Sequence, residues 1–289
     1  MSFWEIKYII LYAFKTKNFI FIFLITIYYL WSQNYKMTKQ IINYKNNINN
    51  INDKKNLKKV VYTALLGNYD KAHPIAKEDG YDYFMLTDQK FKNNSKSNWT
   101  YLHIGEEIKS LNLSTFKLQR YFKTHPHLYF KKYNLSIYID ASFEIKGNLD
   151  EFLLRIVTPK LSIYVLEHPD RNSVNNEFGA VILARKDTNK TVALVRNKYN
   201  RENFPDNYGL SENCLIIRKH NELRCINYMN DWFHEIKQNS HRDQLSFNYI
   251  LWKTGNKDVK YISKKYIDKY FKQNPIHLIN HQFKCNRAM

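Results

Sequence analysis

RYFKTHPHLYFKKYNLSIYIDASFEIKG, residues 120–147, decides the fold. Its centre, LSIYI at 135–139, is a continuous apolar run, the pattern of a strand covered on both faces. The run stops at Asp140, followed by Ala141 and Ser142. A buried strand thus delivers one carboxylate into a turn. An acid at a strand end suits Mg2+ or Mn2+ bridging a diphosphate, because hard cations prefer oxygen ligands. Upstream, Lys117, Arg120 and Lys123 are spaced by three and share one helix face. Aimed at the same strand end they would neutralise phosphates; otherwise they form a solvated face.

Working outward, three more runs have the same character: VVYTALL at 60–66, YFMLT at 83–87 and the stretch 161–166. They stop at Gly67, Asp88 and Glu167, and residues 113–123 between them have helical period. Strands separated by helical stretches predict an α/β domain with a mainly parallel sheet flanked by helices. In such sheets ligands sit at the carboxyl ends of the strands, where Asn68, Asp88, Asp140 and Glu167 would gather. Further on, HRDQLSFNYILW at 241–252 places Leu245, Asn248, Tyr249 and Trp252 at helical spacing. Arg242, Asp243 and Gln244 then stand at a helix start. An Asp there is explained by capping and by the helix dipole without any chemistry; a role in a site is the competing reading.

Composition narrows the class. Of 289 residues, 44% are hydrophobic and 16% aromatic, enough for a sizeable core. Seven Gly and six Pro exclude collagen-like and Pro/Gly-rich disordered chains. The net charge is +19, but residues 1–59 hold ten Lys against Glu5 and Asp53, so much of the excess lies outside the part that reads as folded. A basic balance alone is only an electrostatic footprint, and no nucleic-acid partner is expected. Attraction to anionic membranes and phosphorylated substrates follows from the same charge. Cys214, Cys225 and Cys285 are too few for a disulfide framework and lack zinc-site spacing. Cys214 and Cys225 read as buried thiols, with a pair in an oxidising compartment as the alternative. No GxSxG, HExxH or Cys/His arrangement supports a hydrolase.

Residues 19–31, FIFLITIYYLW with its flanking pair, carry no charge, and Lys15, Lys17, Lys36 and Lys39 flank them. Thirteen residues cover about 20 Å, less than a bilayer core, unless the apolar stretch 8–14 lengthens the span. No small-residue cleavage site follows, which favours an uncleaved anchor over a signal peptide. A soluble amphipathic arm is the alternative. Residues 32–57 lose all periodicity and alternate Asn with Lys, Ile and Tyr, a low-complexity stem. The expected layout is an anchor at 1–31, a stem at 32–57 and one domain at 58–289, with a single-pass membrane location.

YTALLGNYD, YFMLTD, HPHLYFKKYNLSIYIDASFEIKG, EHPDR, YGLSENCLIIRKHN and RDQLSFNYILW occur in that order over about residues 58–255. Together they resemble the family catalogued as domain of unknown function 616, a glycosyltransferase-like domain similar to glycosyltransferase family 8 with a GT-A fold. The resemblance implies transfer of a hexose from a nucleotide-sugar, a UDP-sugar foremost, to a glycan, protein or lipid acceptor with Mn2+ or Mg2+. It implies that Asp140 is the first acid of a DxD metal motif, with Ser142 standing where the second acid would be and Glu144 as a substitute. It places Thr63, Gly67 and Tyr69 in the nucleotide loop and Asp88 on the base or ribose. Lys117, Arg120 and Lys123 would approach the diphosphate, and His168, Arg171 and Glu177 match the family's HP.R stretch and following acid. Asp243 and Gln244 look like the DQ pair beneath the donor sugar, with Arg242 reaching a phosphate. A metal-binding His near the C-terminus has His277 and His281 as candidates. The departure at Ser142 sustains a rival reading, a non-catalytic GT-A-like domain that binds glycans or anionic membranes.

Overall fold

The computed structural model describes residues 57–67, 73–89, 97–105 and 110–273. The expected anchor, the stem up to residue 56, Tyr69, His277 and His281 lie outside these residues. Among the described residues no helix is long and apolar enough to cross a membrane.

Seven strands form the central sheet: β1 (Lys59–Leu65), β2 (Tyr81–Thr87), β3 (Thr100–His103), β4 (Leu135–Ile139), β6 (Ile163–Glu167), β7 (Ser211–Arg218) and β8 (Val259–Ile262). Their spatial order is β3-β2-β1-β4-β7-β6-β8. Strands β3, β2, β1 and β4 pair in parallel, as do β6 and β8. Only β7 runs the other way, antiparallel to both β4 and β6. The sheet is therefore mixed and mainly parallel. Two short strands, β5 (Phe143–Ile145) and β9 (Phe271–Gln273), pair antiparallel apart from it.

Eight helices are described: α1 (Thr115–Thr124), α2 (Pro126–Tyr129), α3 (Leu149–Ile156), α4 (Val174–Leu183), α5 (Asn189–Arg201), α6 (Leu223–Gln238), α7 (Asp243–Thr254) and α8 (Lys264–Tyr270). The short polar residues expected at helix starts are there. Ser114 accepts the Lys117 N–H ahead of α1, and Asn148 accepts the Glu151 N–H ahead of α3. Gly255, at φ +63°, stops α7 in the left-handed conformation.

Both faces of the sheet are covered, which is why its strands read as unbroken apolar runs. Along β1, Val60, Tyr62 and Ala64 join one core with Phe122, Trp232 and Phe247, while Val61 and Leu65 join another with Ile137, Phe152 and Tyr270. Cys214 and Cys225 are buried free thiols, one on β7 and one on α6.

The structure corrects one inference about the strand leaving Asp140. Asp140 directly follows β4, a two-residue turn comes next, and Glu144 lies on β5, opposite Lys272 in the small sheet. Period-two alternation cannot carry a side-chain direction across that turn, so Glu144 does not share a strand face with Asp140.

Candidate active site at the carboxyl edge of the sheet

The last turn of α1 crosses the end of β4. Lys123, though charged, is 2% exposed. Its ammonium donates to Asp243 Oδ2 at 2.6 Å and lies 3.8 Å from Asp140 Oδ1. It also stands 4.9 Å from the centre of the Tyr138 ring. Arg120, one turn earlier, brings its Nε within 3.4 Å of the same Asp243 oxygen. Two cations of the expected face thus converge on two carboxylates from distant segments. The third, Lys117, points elsewhere and donates to the Lys237 carbonyl at the end of α6 (2.8 Å), a favourable place for a cation.

The α1 backbone is fixed here by a second buried cation. Arg218 on β7 is fully buried, and its guanidinium donates to the Lys123 carbonyl at 2.6 Å and to the Tyr62 hydroxyl. Tyr62 donates to the same carbonyl at 2.9 Å. Two donors on one carbonyl hold the residue whose side chain bridges Asp140 and Asp243.

Asp243 opens α7 but does not cap it: Arg242 is the N-cap, and no side-chain cap bond is formed. Burial by itself would raise the Asp243 carboxyl. The nearby Arg120, Lys123 and Arg242 charges outweigh it and hold the group well below the usual carboxylate range. Arg242 pairs with no carboxylate among the described residues. One of its terminal nitrogens donates to Gln244 Oε1 at 3.3 Å, and its Nε has no partner there. Burial, then the Arg120 charge, lowers its pKa. Gln244 Nε2 reaches the Ser211 carbonyl at 3.5 Å.

Asp140 is half-exposed and accepts from the Tyr138 hydroxyl at 2.7 Å, which itself accepts from Gln119 Nε2 at 2.5 Å. Beside it, the reversed strand β7 begins. Pairing of β6 with β7 slips after Val165, which faces Ile216, whereas Leu166 faces Glu212. Residues 213–215 are left unmatched in a bulge, a device common beside active sites. Asn213 is 2% exposed, yet neither end of its amide has a partner among the described residues, and the same holds for Ser211 Oγ. Unpaired buried polar groups are costly and call for an explanation such as a bound ligand or water. The Glu212 carboxyl is pushed up by burial and by Asp140 and Asp170, while Lys264 and Arg171 oppose this.

At the end of β6, Arg171 Nε donates to the buried Glu177 at 2.8 Å. His168 accepts the backbone N–H groups of Asp170 and Arg171 on Nδ1, both at 3.1 Å. Burial and the Arg171 charge lower its pKa, so the ring stays neutral and can accept. The structure brings these three residues together.

On the other half of the sheet, Asp88 accepts the Gly67 N–H on both oxygens at 3.0 Å, tying the residue after β1 to the one after β2. Gly67 has φ +67°, and a Cβ there would lie 2.7 Å from Thr115 Cγ2. Thr63 is fully buried in mid-strand, its hydroxyl unpartnered among the described residues.

Residues 36–275 match the family described as TOD1/MUCI70, glycosyltransferase-like domain. The chain belongs to that family. It carries a glycosyltransferase-like domain over most of its length. Among curated proteins none matches it in sequence. Solved structures that resemble it include the apo form of the bifunctional glycosyltransferase WbbM, at TM-score 0.45 and 15% identity over 72% of this chain. The likeness spans 39% of the length of WbbM. The galactosyltransferase LgtC, solved with donor and acceptor sugar analogues, resembles it at TM-score 0.40 and 10% identity, over 72% of this chain and 74% of LgtC. The glycosyltransferase GlyE of Streptococcus pneumoniae TIGR4 does so at TM-score 0.41 and 13% identity, over 73% and 46% respectively.

For a divalent ion, the donor set decides. Ser142 is buried and its hydroxyl is neutral. Asp140 already serves Tyr138 and faces the Lys123 ammonium, whose charge opposes a second cation. Among the described residues no three His, Cys, Asp or Glu side chains gather as metal ligands. Asp140 and Ser142 by themselves do not make a site for Mn2+ or Mg2+, and His277 and His281, the other expected ligands, lie outside the described residues.

Sequence reasoning passed over several residues here. Ser211, Glu212 and Asn213 lay inside a quoted segment but carried no role, because a reversed strand presents its beginning to the carboxyl edge. Gln119 and Tyr138 were hidden as helix and strand residues; the signal available was a Tyr two residues before the acid, on the same strand.

Proposed function

We propose that the chain transfers a sugar residue from a nucleotide-sugar, a UDP-sugar foremost, to an acceptor hydroxyl. One observation carries the reading: Arg120, Lys123 and Arg242 surround Asp243 beside Asp140 at the edge where an α/β sheet binds its ligand. Breaking a glycosyl–phosphate bond leaves negative charge on the diphosphate and positive charge on the sugar. The cations meet the first. Asp243, kept ionised, meets the second, as carboxylates do for oxocarbenium-like transition states. The Gln244 amide and the unpartnered Asn213 amide would take sugar hydroxyls. Asp88, held by the Gly67 N–H, would meet the nucleotide. No part of this charge stabilisation is routed through a metal. The uncharged stretch 19–31 is proposed to hold the enzyme at a membrane.

The test is release of nucleotide from UDP-, GDP- and CMP-sugars by the full-length chain, with Mn2+ and with EDTA. Turnover of at least one donor is expected, with the Mn2+ and EDTA arms deciding whether a metal takes part, and a chain lacking residues 1–57 should keep it while no longer sedimenting with membranes. No donor turnover and no UDP binding would return the chain to a non-catalytic binding role.

A further inference from the structure

A cleft of about 430 Å³ opens at the end of β6, between the 168–172 turn, the 209–210 segment and Tyr261 of β8. That volume is in the range of small-ligand sites. Its chemistry differs from the cation cluster. Glu167 and Asp170 are exposed into solvent at its rim, and neither carboxylate has a hydrogen bond or ion pair among the described residues. Arg171, the cation that also lines it, is already held by Glu177. An anionic diphosphate entering here would meet two uncompensated carboxylates, so the donor belongs on the Arg120, Lys123 and Arg242 side.

The walls are built to hold a shape. Asn248 on α7 is fully buried and makes three bonds. Its Oδ1 accepts the Ser211 N–H at 3.0 Å, and its Nδ2 donates to the Tyr208 carbonyl at 3.1 Å and to the Tyr261 hydroxyl at 2.7 Å. Gly209, at φ +83°, passes so close that a Cβ would lie 3.3 Å from Asn248 Nδ2. Tyr261 is thereby anchored at its hydroxyl, while the residue as a whole remains 37% exposed. Burial pushes that phenol up to about 12, so it stays neutral. On the opposite side, His168 fixes the 169–171 turn through two backbone bonds. The cleft abuts the proposed donor site, because Asn248 and Asp243 lie on one helix and the 209–210 wall runs directly into Ser211 and Glu212.

We infer that this cleft is the acceptor subsite and takes a neutral saccharide. The Tyr261 ring offers an apolar face to the C–H side of a sugar, and Glu167 and Asp170 accept from its hydroxyls. This rests on the transferase reading above and adds the class of acceptor. Hydrogen bonds to charged groups are the stronger ones, which suits two free carboxylates facing a polyol. The same pair would also attract a cationic acceptor such as an amine-bearing chain, which lacks any use for the ring's position beyond cation–π contact.

The experiment measures binding to the full-length chain of UDP, of a set of neutral gluco-, galacto-, manno- and xylo-configured di- and trisaccharides, and of spermidine. Tyr261→Ala and Asp170→Asn are compared with wild type, and their melting curves confirm folding. At least one saccharide should bind, and each variant should weaken it by about tenfold, the effect of one good contact, with UDP affinity within about twofold of wild type. Saccharide affinity unchanged in both variants would overturn the assignment. So would a wild-type chain that binds UDP but no saccharide, or one in which only spermidine binding depends on Asp170. A chain that binds saccharide through Tyr261 but not UDP would sink the transferase reading and, with it, the acceptor role, leaving the cleft a saccharide-binding site only. Should Tyr261→Ala fail to fold, the surface change Asp170→Asn still decides.

Discussion

Asp243→Asn is the most informative perturbation of the site. It removes one charge and nearly no volume from a residue 3% exposed. The Lys123 ammonium, 2% exposed, then loses its 2.6 Å partner and keeps only Asp140 at 3.8 Å. Breaking a buried pair by removing one member costs about 3–5 kcal/mol, since the other charge is left uncompensated. For a domain of this size that corresponds to roughly 2–4 °C per kcal/mol, a fall in melting temperature on the order of 10 °C. The helix-cap explanation of Asp243 would have given a smaller loss, about 0.5–2 kcal/mol. Anion binding should move the opposite way. With Asp243 neutral, Arg120, Lys123 and Arg242 are less compensated, so UDP should bind at least as tightly as to wild type. Donor turnover per folded molecule should fall by about 10²-fold or more, on the scale of losing one electrostatic stabiliser. The assay pairs calorimetric UDP titration with nucleotide release at a temperature where the variant is folded. Turnover that falls only in proportion to the folded fraction would refute a role for Asp243 beneath the donor sugar. Loss of UDP binding alongside turnover would show that Asp243 serves only to orient the cations.

Gly67→Ala should destabilise by about 1–2 kcal/mol from the left-handed backbone alone, with a further steric part from Thr115 Cγ2 at 2.7 Å; adding Thr115→Ser should restore only the steric part, and full recovery of the melting temperature would disprove the backbone argument. Acid should weaken the fold in two stages. His125 and His220 have pKa values lowered to about 4, chiefly by burial, so the unfolded chain binds more protons between about pH 6.5 and 4 and stability falls as pH drops through that window, by roughly 1–3 kcal/mol per group. Asp243, whose pKa is depressed, adds its loss only below about pH 4. Melting curves from pH 7.5 to 3.5 check the order, and His220→Gln should flatten the first stage; an unaltered slope there would mean that His220 charges freely in the folded state.

Much of the scaffold was legible because its physics is local. Residues 135–139 read as a strand and are one, and the runs at 60–66 and 83–87 fall within a residue or two of β1 and β2. Their unbroken apolar character reports cover on both faces, and that is what the structure has. The direction of a strand is not local. SENCLIIR has the same texture as its parallel neighbours, so nothing in residues 211–218 announced that β7 is reversed. Lys123 shows the complementary limit. Spacing by three put it on a face with Lys117 and Arg120, but whether that face meets water or two carboxylates depends on Asp243, which is 120 residues away. The divergence of Lys117 from its neighbours, toward the end of α6, is likewise set by a tertiary contact. Glu144 illustrates a third limit, since a two-residue turn is enough to hand the chain to a different sheet.

Because β7 is reversed, the connection entering it, residues 202–210, arrives at the same rim as the connections leaving β4 and β6. In an all-parallel arrangement that incoming segment would lie at the far end. Here the mouth gains an additional segment, tied at Tyr208 and Glu202 to the helix that opens with Asp243. Tyr208 and Gly209 sit on it. A change of length between α5 and β7 would thus be felt at the mouth and at α7, while the strands beneath keep their pairing.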